Sequence, residues 1–266
     1  MSSNFFNPHA PLTGLQREEY GIGAIFALIT VWAGITMLDL VDANKLPSPI
    51  QVFNAFLYLS WDHGHSILLG AMGASLTRIG IAALLVCAVG IPFGIILGAS
   101  PRLNSIFSPI IDPFRSAPIA ALLPIFVMWY GIGDGMKIAF LFTAAVVYII
   151  PMVRDAMLGV AYCYWEATAD LSATPIENIL KGVLPIAMPR IFDAIIVSTS
   201  ILWTYITVAE YVNADSGLGQ MIQNAKRFSA MDQVFAGIIV IIGLALLTNL
   251  TLTYVKKRIY FWEGTQ

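Results

Sequence analysis

Charge is scarce in this chain. Lysine and arginine number 14 and aspartate and glutamate 16 among 266 residues, 11% together, with a formal net charge of −2. No basic cluster exceeds Lys256-Lys257-Arg258, which serves as an orientation anchor, so no nucleic-acid partner is expected. Cysteine is nearly absent: Cys87 falls in an apolar run and Cys163 in a polar one, at different depths, so no disulfide is expected. The three histidines, His9, His63 and His65, form no His-Glu-x-x-His helix, and no Gly-x-Ser-x-Gly elbow occurs. Asp62-His63-x-His65 has the residue types for a metal, but an exposed loop accounts for it more simply, and no metal site is assigned. Gly-x-x-x-x-Gly-Lys-Ser/Thr is missing as well, so the chain has no backbone cradle for ATP phosphates. A catalyst working alone is therefore not expected.

What is abundant is apolar. Hydrophobic residues make up 58% of the chain and mean hydropathy is +0.78, values that a soluble domain would carry only by exposing large apolar areas. A helix crossing lipid needs roughly 20 residues, because its backbone must be satisfied internally. Six runs approach that length: Tyr20 to Leu40, Ile67 to Ala99, Ala117 to Gly133, Ile138 to Val153, Ala194 to Ala209 and Val234 to Val255. The third follows Pro109, Pro113 and Pro118 and contains Pro124, so it is predicted to be kinked or broken. Six spans put both termini on one side. With the N-terminus inside, Arg17, Arg102, Arg115, Arg154, Lys181, Arg190 and the Lys256 to Arg258 cluster are cytoplasmic, against Lys45, Lys137, Lys226 and Arg227 outside. The positive-inside rule favours that orientation, N-in and C-in. The expected class is an all-α integral membrane protein of six transmembrane helices. It divides into a tail over 1–19, one membrane domain over 20–262 and a short tail over 263–266. The first apolar run is too long for a signal peptide and lacks a cleavage pattern.

Between spans four and five lies a polar, amphipathic island, 160–186. Tyr162, Trp165 and Ala169 recur at helical spacing, with Glu166 and Asp170 on the opposite side. Thr174-Pro175-Ile176-Glu177 reads as a new helix start, a capping box with proline at the first position. The stripe Ile176, Ile179, Leu180, Val183, Leu184 follows, and Pro185 is predicted to end the helix. Periodicity alone is equally compatible with helices resting in the membrane interface.

The island resembles the coupling segment of binding-protein-dependent ABC importer permeases, whose pattern is Glu-Ala-Ala, a glycine, and a later apolar-Leu-Pro. Glu166, Ala167, Leu184 and Pro185 match; Thr168 replaces the second alanine, and Ser172 stands where the glycine is usual. The likeness to the nitrate, sulfonate and taurine branch runs from about Leu46 to Trp262. It takes in Leu46-Pro47-Ser48-Pro49, Ser75-Leu76-Thr77-Arg78, Trp129 to Gly133, Lys137-Ile138, Ala209-Glu210, Gly217-Leu218-Gly219 and Asp232. It implies a type I permease fold and a multi-pass location in the bacterial cytoplasmic membrane. It also implies a dimer with a second copy or a relative, cytoplasmic ABC ATPase subunits that bind ATP and magnesium, and a periplasmic or lipid-anchored substrate-binding protein. No cofactor is expected in this chain. A small solute is implied, an anion such as nitrate, a sulfonate, taurine or bicarbonate. Glu166, Ala167, Asp170, Ser172, Ile179, Leu180, Lys181, Leu184 and Pro185 become the candidate coupling residues.

Arg78, Asp112, Arg115 and Glu210 lie in or near spans, where an ionised group faces a partner or water. Asp112 and Arg115, three apart, have the spacing of a pair, and Glu210 is a candidate support for an outer gate with Gly217-Leu218-Gly219. Candidate path residues are Arg78, Arg115, Trp203, Thr204, Thr207 and Glu210; for the threonines, bonding to their own helix is the structural alternative. Gly90, Gly94 and Gly98 predict a close helix approach. The rival classes are an ATP-independent carrier or channel, for which no inverted repeat is found, and a membrane scaffold, which gives no reason for a docking element.

Overall fold

The computed structural model describes residues 14–42, 44–61, 66–170, 173–212 and 215–262. Every regular element among them is helical: α1 (Gly14–Met37), α2 (Pro49–Ser60), α3 (Ile67–Ala99), α4 (Pro101–Ile111), α5 (Leu123–Tyr130), α6 (Asp134–Leu158), α7 (Tyr162–Asp170), α8 (Pro175–Glu177), α9 (Leu184–Tyr211), α10 (Leu218–Arg227) and α11 (Met231–Ile259). Among the described residues five helices are long and apolar enough to cross a membrane, or six if one bent pair is counted as a single span.

The centre is a three-helix pack of α3, α6 and α9. Their small residues explain the closeness. A Cβ on Gly94 would lie 2.6 Å from Val153 Cβ and 2.8 Å from the Ile150 carbonyl oxygen, and one on Gly98 would lie 2.5 Å from Met157 Cβ. One on Gly90 would collide with Ile149. The predicted glycine ridge is therefore the seam between α3 and α6, where backbones approach too closely for side chains. Ala82, Val86, Leu141, Ala145, Ala194 and Leu202 fill the buried space around it.

Peripheral elements lean on that core. α10 and α11 pack with one another and α2 lies against α11. α1 touches the rest through Trp32, whose indole donates to the Pro47 carbonyl at 3.0 Å and stacks on Phe235. The span in α1 runs Glu19–Met37, while the helix itself starts at Gly14, inside the stretch that the sequence reads as tail.

The third span is broken, as its prolines predict, but it begins earlier than Ala117. Pro101–Ser116 and Ile119–Tyr130 meet at 93°. A 3-10 segment, Asp112–Ser116, ends the first arm, and Pro113, Pro118 and Pro124 remove donors on both sides of the bend. One consequence is a correction to sidedness. Arg115 does not sit in a cytoplasmic loop: its carbonyl accepts from the Tyr148 hydroxyl at 3.0 Å, and Tyr148 lies about halfway along α6. Without Arg115 the count of basic residues under the positive-inside rule still favours N-in.

Candidate functional site

Chain order sorts the polar groups into an outer layer, where α6 begins and α9 ends, and an inner layer, where α3 and α6 end. The outer layer centres on Glu210, 1% exposed, and Arg78, 4% exposed. Arg78 Nη1 donates to Glu210 Oε1 at 2.6 Å and to the Ser216 carbonyl at 2.7 Å. Its Nε donates to Asp134 Oδ1 at 2.8 Å and its Nη2 to Ser216 Oγ at 3.1 Å. Lys137 Nζ lies 3.4 Å from the same Asp134 oxygen. The Ser75 hydroxyl sits between the two Glu210 oxygens, 2.8 Å from Oε1 and 2.9 Å from Oε2; Oε2 also accepts from the Gly219 amide at 2.8 Å, and Ser75 Oγ in turn accepts from the Leu218 amide at 2.9 Å.

This network ties α3, α6, α9 and the start of α10 together with every charge compensated. A planar guanidinium suits it because its fork reaches several acceptors at once. Gly217 turns the chain into the lock with φ +124°, a backbone that other residues rarely adopt, and a Cβ there would meet the Glu210 carboxylate. Gly217→Ala is therefore expected to lower stability by about 1–3 kcal/mol, read as a fall in melting temperature of the purified protein. An unchanged melt would place the strain elsewhere.

The inner layer centres on Arg154. Its Nη1 donates to Ser108 Oγ at 2.6 Å and to Asp112 Oδ1 at 3.0 Å, and its Nε to Asp155 at 3.0 Å. Ser108 and Asp112, one turn apart on and just after α4, present adjacent acceptors to α6. Asp112 thus takes Arg154 as its ion-pair partner and not Arg115, the partner that sequence spacing offered. Lys256 pairs with Asp193 at 2.8 Å on the same side.

Beyond the inner layer the island folds as a braced two-helix element. The capping box forms: the Thr174 hydroxyl accepts from the Glu177 amide at 3.3 Å and the Glu177 carboxylate from the Thr174 amide at 3.1 Å. Lys181 donates to Glu177 at 3.0 Å, and that bond, with those from Thr174, holds the Glu177 carboxyl below the ordinary carboxylate value. Asn178 ties the halves together by donating to the Trp165 carbonyl at 3.1 Å and by its contact with the Thr168 hydroxyl. Thr168 fits where the resemblance expects alanine because Gly182 faces it; a Cβ there would stand 2.6 Å from Thr168 Cγ2. Ser172 lies outside the described residues, as do His9, Asp62, His63 and His65.

Pro185 does not end the second helix. Asn178–Val183 widen into a π turn, in which the Leu184 amide reaches back five residues to Ile179, and Pro185 then occupies the opening turn of α9. The wide turn frees the proline ring from the helix-interior clash that would otherwise stop it. It also re-aims the apolar stripe. Val183 is buried in the core and Ile179 and Leu184 pack partly against it, whereas Ile176 is 69% and Leu180 54% exposed. Ile176 and Leu180, one turn apart, thus share an uncovered apolar side; Tyr162 and Tyr164 on α7 are exposed as well, as are Glu166, Ala167, Asp170, Lys181 and Pro185.

The candidate path residues separate. Arg78 and Glu210 are absorbed in the outer lock. Thr204 and Thr207 bond back to their own helix, to the Ser200 and Thr204 carbonyls, both at 3.2 Å. Trp203 is buried with its indole nitrogen unpaired, beside a cleft of about 360 Å³ between α9 and α11 that Ser200, Thr204, Ala245 and Asn249 also line. Arg115 is exposed. Sequence reasoning missed Ser75, Asp134, Lys137 and Ser216 as members of the lock; the signal was present in two opposite charges, Arg78 within one apolar run and Glu210 at the end of another.

Comparison with known proteins bears on this geometry directly. Residues 90–260 match the family described as binding-protein-dependent transport system inner membrane component. The chain is 35% identical over 254 residues to the taurine transport system permease protein TauC of Escherichia coli K12, covering 94% of this chain and 91% of that one. It is 30% identical over 240 residues to the putative aliphatic sulfonates transport permease protein SsuC of Bacillus subtilis 168, with 90% and 85% covered. The nitrate import permease protein NrtB of Leptolyngbya laminosa is 26% identical, over 89% of this chain and 85% of that one. In fold, the chain is similar to a chain of the inward-facing MetNI methionine ABC transporter, with a TM-score of 0.62 over 73% of this chain and 94% of that one, at 23% identity.

Proposed function

We propose a working role for this chain, which belongs to the family of binding-protein-dependent transport system inner membrane components: it is the permease half-site of a bacterial inner-membrane importer for a small organic or inorganic anion. Two permease chains, identical or related, enclose the path between them, and ATP with magnesium is bound by separate cytoplasmic ATPase subunits. An extracytoplasmic binding protein delivers the solute. Relatives named for taurine, aliphatic sulfonates and nitrate support the anionic class.

The carrying observation is the island. It is capped, cross-braced by Asn178, continuous through the π turn with α9, and yet leaves Ile176, Leu180, Tyr162 and Tyr164 uncovered. A segment that transmits force needs that combination, a rigid body with an apolar face for a partner to hold and charges that fix register. A push on it reaches α9 through unbroken helix, and α9 carries Glu210 of the outer lock at its far end. Movement at the cytoplasmic face is thereby linked to the outer face.

Reconstitution of the chain with its ATPase and binding protein tests the role: uptake should require both ATP and binding protein, and uptake indifferent to ATP would defeat it. Within that system Glu166→Ala is expected to leave insertion and ATP hydrolysis intact while solute moved per ATP falls by roughly three- to tenfold. An unchanged ratio would remove Glu166 from the coupling contact.

A further inference from the structure

We infer that Arg115 is a mid-membrane contact for the negatively charged group of the transported solute. The inference rests on the importer role above and adds the residue that meets the cargo. Arg78, Lys137, Arg154 and Lys256 each have a carboxylate, while Arg102, Arg190, Lys257 and Arg258 lie within about two turns of the ends of their helices. Arg115 has none: its guanidinium is exposed and meets no ion-pair or hydrogen-bond partner among the described residues.

Depth makes that exposure costly. The Tyr148 hydroxyl fixes the Arg115 carbonyl beside the middle of a 25-residue helix, so the side chain starts far from either end of α6. An ionised group there faces protein or water and not lipid.

Backbone geometry gives an independent argument for the same conclusion. The chain departs from α-helix over Asp112–Ser116, turns through 93°, and resumes with the 3-10 turn Ile119–Leu122. Prolines at 113 and 118 remove two backbone donors from this stretch. Irregular backbone at membrane depth is tolerated only inside protein or along a water-filled cavity. Phe114, Arg115 and Ser116, consecutive in that 3-10 stretch and all exposed, point to different sides, and the side that Arg115 takes is assigned to the water-filled path. A guanidinium offers paired donors whose fork matches a sulfonate, nitrate or carboxylate group. With no counter-charge among the described residues, it takes that charge from the passing anion, and the lack of a fixed partner there keeps the contact weak enough to release.

Two measurements test this. In a background carrying Cys87→Ala and Cys163→Ala, the R115C variant, reconstituted with its ATPase, is treated with sulfonatoethyl methanethiosulfonate, a water-borne anionic thiol reagent. Labelling is expected. Reaction only with a lipid-soluble maleimide would place the side chain in bilayer and overturn the inference, whatever the outcome for transport. In the complete complex, uptake of radiolabelled taurine, ethanesulfonate and nitrate is compared for R115Q and R115K. R115Q is expected to lower uptake of the transported anion about tenfold or more with basal ATP hydrolysis unchanged, and R115K to retain most of it. Equal uptake by R115Q overturns the contact, and so does a wild-type complex that moves only neutral or cationic solutes. Uptake that ignores ATP would instead strike the importer role, which the labelling result does not depend on.

Discussion

Arg78→Ala is expected to destabilise the permease by about 3–5 kcal/mol, the cost of leaving a buried carboxylate without its counter-charge. Glu210 is sealed from solvent, so the deserted carboxylate must take up a proton, draw in water or move. Any of these loosens the Gly219 amide and Ser75 contacts that hold α10 to α9 and α3. The measurement is the melting temperature of the purified protein in one detergent, beside Arg78→Ala combined with Glu210→Ala. Removing both charges spares the orphaned group, so the double variant should melt above the single one. Arg78→Lys should fall between, since one ammonium does not span Glu210, Asp134 and Ser216 as the guanidinium fork does. A single variant that melts like the parent would mean that the lock contributes nothing to stability.

The second large effect lies in the seam. Gly94→Val places its branch where Val153 Cβ and the Ile150 carbonyl already stand, and backbone does not yield as a side-chain tip does. The overpacking cost is about 1–3 kcal/mol or more, and α3 and α6 must part to relieve it. Gly90→Ala drives its Cβ into the Cγ2 branch of Ile149, which can move only by turning about χ1, and is expected to be costly too, while Gly70→Ala, with open space around it, should be near neutral. The yield of monodisperse protein after membrane extraction reads the series. A loss at Gly70 equal to that at Gly94 would mean that the seam is not what these glycines serve.

Much of this was legible because it is local. Apolar runs mark spans whatever their neighbours, and Thr174 and Glu177 write a capping box within four residues. The broken span was foreseen from its prolines, but its start was missed because Arg102, Asn104, Ser105, Ser108 and Asp112 dilute the hydropathy of the first arm. Arg78 and Glu210 each stood out as charges in apolar surroundings. Their pairing across 132 residues did not, since it exists only once α3 and α9 pack. Asp112 shows the same limit: spacing offered Arg115, packing supplied Arg154. Pro185 was misread for a related reason. A proline stops a regular helix, and the π turn that lets it pass is not written in the residues beside it.

In the proposed importer a cytoplasmic lever, α7 with the helix that starts at Pro175, is gripped by a nucleotide-hydrolysing partner. A photoreactive benzoylphenylalanine at Leu180, and separately at Ile176, tests it in intact membranes that hold the assembled complex. The expected product is an adduct of permease plus ATPase subunit, formed at both positions and changed in yield by ATP. Adducts with lipid alone at both positions would contradict the claim.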